Sequence, residues 1–270
     1  MLPALEEKQP AHIVHYFFKQ LKKYLEKIDS DADEDAIHDF RINVKKLRAF
    51  LRMIRLAAKD PDELKFPRSF KKMYAKLGKI RDRQLLIKRI KELDNVHPDA
   101  KIRDLKKEIK ELSNGSGDFL SKKDLKEIED DFINHLPAVP AEIIKNFIEG
   151  KIVMIRETVQ KGDFSDTELH NIRKSLKDIH YIIGICRDDL KIALPFLFWS
   201  DQEVGKAEDL SHTIGLFNDT TIALSFLPLS EIREANNDER PSLQSIRRKC
   251  LAEKQKLKKT IIHDLATIHL

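Results

Sequence analysis

The strongest restriction on what this chain can fold into is one spacing that occurs twice. His38, Arg41, Lys45 and Arg48 return as His170, Arg173, Lys177 and His180, each 132 residues further on. The apolar residues among them keep that offset: Ile37/Leu169, Phe40/Ile172, Val44/Leu176, Leu47/Ile179 and Phe50/Ile182. Downstream, LGKIRD at 77–82 returns as IGLFND at 214–219, with Gly78/Gly215 and Asp82/Asp219 separated by 137. Within each segment the apolar residues fall at steps of three and four, the period of a helix with one buried face. A helical unit repeated in tandem predicts two similar bundles related by an approximate two-fold axis.

The rest of the chain agrees with a helical class. Only 8 of the 270 residues are Gly, while Leu, Ile, Lys and Glu dominate, a balance that favours an all-α fold. The spacing predicts helices near 10–28, 34–59, 64–94, 99–113, 121–136, 140–160, 166–189, 201–227 and 242–268. Turn signals such as KDPDE, NVHPD, NGSGD and NNDERPS separate them. Pro140 is expected in a first helical turn, and Ser165 with Glu168 reads as a capping box. PAVP at 137–140 divides the chain nearly in half. One domain is therefore expected over 1–270, with a first half of 1–137 and a second of 138–270.

The repeated segment carries two faces with separate tasks. At about 100° per residue, Arg41, Lys45, Arg48 and Arg52 share one narrow arc beside His38. Phe40, Val44, Leu47, Leu51 and Ile54 cluster about 160–240° round from it. One face packs in a core; the other presents cations along about 21 Å of helix. Like charges three or four residues apart each cost roughly 0.2–0.5 kcal/mol. No acid interrupts the stripe, whereas the solvated helix IRDLKKEIKELS at 102–113 interleaves both signs. An anionic ligand would turn that cost into binding energy. Regular cations suit a repeating anion better than a base-reading surface, and the planar fork of Arg suits phosphate. Phe40 and Phe50 fall on or near the core arc, so base stacking is not indicated.

Other classes are excluded by composition. The formal net charge of +5 is too small to name a partner, so the distribution of charge must decide. Cys186 and Cys250 form no CxxC or Cys/His cluster, and a reducing, cytoplasmic location is expected. The longest apolar run, IALPFLFW at 192–199, falls well short of the roughly 20 residues of a membrane span. MLPALEEKQP lacks the basic region and apolar core of a signal peptide, so no membrane partner is expected.

Through HDFRINVKKLR and LGKIRD, then HNIRKSLKDIHY and IGLFND, the chain resembles the CHAD family, the conserved-histidine α-helical domain, over nearly its whole length. The resemblance implies two pseudo-symmetric four-helix bundles in tandem around a central basic groove or pore that binds inorganic polyphosphate. Carried over position by position, it implies phosphate contacts at His38, Arg41, Lys45, Arg48, Arg52 and Arg81, then at His170, Arg173 and Lys177. His180 stands where the family pattern favours Arg and completes the set. Gly184 stands opposite Arg52 and Asn218 opposite Arg81, so the second half is expected to be the weaker in cations. Family members often accompany a triphosphate-tunnel domain marked by an ExExK strand. No ExExK occurs here, so a stand-alone, non-catalytic module is expected, associating with polyphosphate granules.

Several residues lie outside that core pattern. Lys19 and Lys151 share the 132 offset on the first helices of the two halves, and Arg247 lies on the last helix; all three are further candidates for the groove. Gly78 and Gly215 sit inside helices at a cost of about 1 kcal/mol each relative to Ala. Close helix packing is the expected reason, with close approach of phosphate to the backbone as the alternative. Asp82 and Asp219 either orient stripe cations or pair with a neighbouring Lys. No catalytic residue, metal or cofactor is expected: HD at His38–Asp39 and His263–Asp264 is shared with metal phosphohydrolases, but Asp39 points about 100° away from His38. His170, Arg173 and Lys177 bring cations where a metal would need carboxylates, and no HExxH, Walker loop or GxSxG occurs. A metal-dependent phosphohydrolase and a single-stranded nucleic-acid binder are the alternatives; nucleic acid is not the expected partner. Finally, His38 and His170 are the stripe's only groups with an ordinary pKa near neutrality, and neighbouring cations are expected to lower it.

Overall fold

The structure is a computed structural model, and it describes residues 8–93, 98–114, 119–162, 164–191 and 201–268. The apolar run at 192–199, most of the N-terminal decapeptide, residue 94 and parts of the turns at 95–99 and 114–118 lie outside the described residues. Every regular element among the described residues is helical. The first half holds α1 (Gln9–Asp31), α2 (Glu34–Ile54), α3 (Arg68–Leu93), α4 (Asp99–Asn114) and α5 (Lys122–Asn134). The second holds α6 (Ala141–Lys161), α7 (Asp166–Gly184), α8 (Asp201–Ser225), α9 (Leu229–Glu234) and α10 (Arg240–Thr267). The sequence offset survives in space: α1 and α6 start 132 residues apart, as do α2 and α7. No helix among the described residues is long and apolar enough to cross a membrane.

Short corners with local chemistry turn the chain. Ala32 ends α1 at φ 50°, with its N–H on the Ile28 carbonyl. Asp33 then caps α2, accepting from the Ala36 N–H at 2.6 Å, and Glu34 and Asp35 occupy the first turn, where the helix dipole favours anions. The expected capping box of Ser165 and Glu168 is present at α7, and Ser121 with Asp124 forms another at α5. Pro140 takes the N-cap position of α6 rather than its first turn. Three boundaries also differ from the periodic reading. α2 ends at Ile54, and α3 waits until Arg68, because Pro67 has no N–H and holds its predecessor out of helical geometry. The segment read as one helix over 166–189 changes at Gly184, its weakest helix former, to a π-turn over Ile185–Asp189. The short α9, started by Pro228, has no strong period and was not expected.

Within the first half α1 packs on α2 and α5, and α3 packs on α2 and α4. In the second, α6 packs on α7, α7 on α8 and α8 on α10. The correspondence between halves therefore holds for three helices and then lapses. α4 and α5 fill out one bundle, whereas the long α10 fills out the other. The halves meet through α2 on α7 and α3 on α8. One apolar cluster runs through both, including Phe17, Phe40, Phe70 and Phe132 with Ile148, Leu169, Ile172 and Phe217. Burying each such side chain contributes about 1.5–3 kcal/mol. A second cluster joins Leu86, Ile90, Ile102 and Leu105 of the first half to Ile232, Leu243 and Ile246 of the second. Above it, the Ala100 N–H donates to Glu239 Oε1 at 2.6 Å. In the first bundle the fully buried Glu129 ties α5 to α1, with His15 Nδ1 at 2.6 Å and Lys22 Nζ at 2.5 Å.

A cationic groove between the halves

Because Phe40, Val44, Leu47 and their counterparts Ile172, Leu176 and Ile179 are buried, both helices must turn their charged arcs the other way. α2 and α7 lie together, so the two arcs face one space, and α3 and α8 close it. The resulting cavity is about 560 Å³. α2 contributes His38, Arg41, Ile42, Lys45, Arg48 and Arg52; α7 contributes His170, Arg173, Lys174, Lys177, Asp178 and Tyr181. Tyr74, Arg81, Asp82 and Leu85 come from α3, and Asn218, Asp219 and Ile222 from α8. Eight Lys and Arg thus face three carboxylates.

The glycines explain how the arginines are held. A Cβ on Gly78 would lie 2.8 Å from Arg41 Nη1, and one on Gly215 would lie 3.3 Å from Arg173 Nε. Each glycine leaves room for the guanidinium of the opposing stripe. The nearest atoms there belong to a guanidinium and not to a packed helix backbone, contrary to the expectation of close helix packing. Arg41 lies against α3, donating from Nη1 to the Tyr74 carbonyl at 3.0 Å, with its guanidinium carbon 4.6 Å from the Tyr74 ring centroid. Arg48 sits 5.7 Å from the same ring. Arg81 donates to Glu34 Oε1 at 2.6 Å, so the α2 N-terminus orients it.

Burial, and after it the crowding of cations, shows in their proton affinities. Burial, then Arg41 and Arg173, lowers Lys45 from 10.5 to about 8. Lys177 is lowered by burial and Arg173. His38 is lowered first by burial and then by Arg81; His170 by burial, then Lys174 and Arg173. The expected direction holds for both histidines, but desolvation outweighs charge as its cause. Burial raises Asp82 and Asp219 despite nearby Arg41 and Arg173 respectively. Arg52 and Arg173 each keep a buried Nε without a hydrogen-bond partner among the described residues.

Nine of the ten principal candidates line the groove; His180 does not. Its Nδ1 lies 2.6 Å from Glu208 Oε1 on α8, which takes it out of the stripe. Lys19 is exposed on α1 and lies outside the lining. Lys151 approaches from α6 but ends 3.3 Å from Asp178 Oδ2. Arg247 lies outside the lining, donating to the Leu227 carbonyl at 2.8 Å. Asp178 is buried and also pairs with Arg52, so it joins α2, α6 and α7. Sequence reasoning missed it, along with Lys174, Tyr74 and Tyr181. Lys174 had a usable signal, lying about 40° from His170 on the wheel. Its counterpart Ile42 is apolar, so the repeat concealed it; Lys174 partly offsets Gly184 and Asn218. Tyr181, about 20° from His170 on the same wheel, was concealed in the same way by its apolar counterpart Ala49, whereas Tyr74 carried no signal, because nothing local says what a third helix will place beside a stripe.

Comparison with known proteins bears on the fold. A crystal structure of the CHAD domain from the plant Ricinus communis matches with a TM-score of 0.71 at 15% identity, covering 99% of this chain and 93% of that one. That likeness shows the same all-α fold. No curated protein matches the sequence. The family model for the CHAD domain matches residues 12–228, so the chain belongs to the CHAD domain family.

Proposed function

We propose that this protein binds inorganic polyphosphate in the groove between its halves, as a binding module and not as an enzyme. The observation that carries the reading is the imbalance of eight Lys and Arg against three carboxylates along one continuous cavity. Burial first, and then repulsion among these cations, lowers Lys45 and Lys177, and a linear polyanion is the ligand that relieves the repulsion of all of them together. The unpartnered guanidinium nitrogens of Arg52 and Arg173 likewise mark cations with fewer acceptors than they can use. Tyr74 lies beneath Arg41 and Arg48 and so supports cations before it could stack on a base, which favours phosphate over nucleic acid. Association with cytoplasmic polyphosphate granules follows from such a ligand.

Calorimetric titration with orthophosphate and with long-chain polyphosphate, over a salt series, tests this. The long chain is expected to bind far more tightly, because several cations engage one molecule and share its ordering cost. Affinity is expected to fall steeply with salt as counterions are released. Equal affinity for the two ligands would overturn the proposal, and steady phosphate release during the titration would favour a hydrolase.

A further inference from the structure

At the C-terminal end of α2 a second cavity, of about 370 Å³, opens beside the groove. Arg48, Arg52 and Tyr74 line both, so the two spaces adjoin. Their chemistry differs. Leu51, Leu64, Phe66 and Phe70 give the second cavity an apolar floor, while Arg55 and Lys71 stand at its rim. Among the described residues the ion pairs here are Arg52 with Asp178 and Lys65 with Asp62; Arg48, Arg55 and Lys71 have none. Asp62 acts on Arg55 and Lys71 only from a distance.

Inorganic polyphosphate has no apolar part and would leave this floor uncovered. A purely apolar ligand would strand the cations. A molecule with both parts satisfies both surfaces. We propose that the cavity takes the nucleoside end of an oligophosphate ester, whose phosphates lie on Arg48 and Arg52 and continue along the stripe. The proposal rests on the groove being an oligophosphate site. The volume falls within the roughly 300–1,000 Å³ of small-molecule pockets. A planar base suits it better than an alkyl chain, because the guanidinium of Arg55 can stack on a ring.

Calorimetry with inorganic tripolyphosphate, adenosine triphosphate, an alkyl triphosphate and long-chain polyphosphate tests this. Adenosine triphosphate is expected to bind about tenfold more tightly than tripolyphosphate, through shielding of the apolar floor. Arg55→Gln, outside the groove lining, is expected to remove most of that advantage while long-chain affinity changes by less than about threefold. Photolabelling with azido-adenosine triphosphate needs no substitution and is expected to mark residues 64–74. Equal binding of adenosine triphosphate and tripolyphosphate, an alkyl triphosphate that binds as well as the nucleotide, or label elsewhere would each overturn the assignment. If long-chain polyphosphate binds while the nucleotide gains nothing, only this inference falls. If neither binds, the groove reading falls with it.

Discussion

Arg41 is positioned by a residue it never touches through a side chain. Gly78 leaves open the space where its guanidinium lies against α3, and Gly215, on α8, does the same for Arg173 of α7. In Gly78→Ala the new methyl group meets the far end of a flexible side chain, so α3 itself need not move. Ala also gains up to about 1 kcal/mol of helix propensity. The melting temperature is therefore expected to hold or rise while polyphosphate affinity falls, since Arg41 loses its hold on the Tyr74 carbonyl. Gly215→Ala should do the same more weakly, its contact being 3.3 Å. Thermal denaturation and calorimetry on the same samples check this; unchanged affinity would mean that the glycines do not position the arginines. Lys45 supplies a second residue-scale expectation. Its free-state pKa of about 8 must rise when a polyanion binds, so binding takes up protons and affinity falls as pH climbs through 8. Lys45→Arg, which does not titrate there, should flatten that limb. His38 and His170 lie below 6.5 when free and should rise similarly, giving a second gain in affinity as pH falls below that value. Replacing both with Gln should abolish the lower limb alone.

At the scale of elements, α7 both begins the second half and carries its stripe. Ser165 accepts from the Glu168 N–H, and Glu168 Oε2 accepts from the Ser165 N–H at 2.8 Å. Ser165→Ala is expected to cost about 1 kcal/mol of stability, read as a lower midpoint in denaturant with an unchanged slope. This cap was legible in the sequence because all its atoms lie within four residues. So were the helices themselves and the phase of each stripe against its core arc. The end of α2 and the start of α3 were less so. Apolar periodicity ran on through Leu56 and Leu64, whereas the backbone obeyed Pro67. The division of labour after the third helix had no local signature either. α5 returns to α1 while α10 stays on α8, and only packing distinguishes the two.

Across the whole molecule, Asp178 is where the two halves are held and the groove is limited. Its carboxylate takes Arg52 from α2 and Lys151 from α6, two cations otherwise free for a ligand. Asp178→Asn is expected to lower stability by roughly 1–3 kcal/mol, less than for a fully buried pair because both cations are partly exposed. It should also raise polyphosphate affinity. A variant with wild-type stability and affinity in thermal and calorimetric assays would show that this carboxylate neither joins the halves nor competes with the ligand. The sequence by itself determined the helical class, the tandem repeat and the two-faced stripes, since each depends on spacing within a few turns of one helix. The tertiary structure alone decided which stripe cations share a groove, which are claimed by a carboxylate, as His180 is by Glu208, and where an arginine finds room beside a glycine. Those outcomes depend on distances between residues far apart in the chain, and no local period encodes such distances.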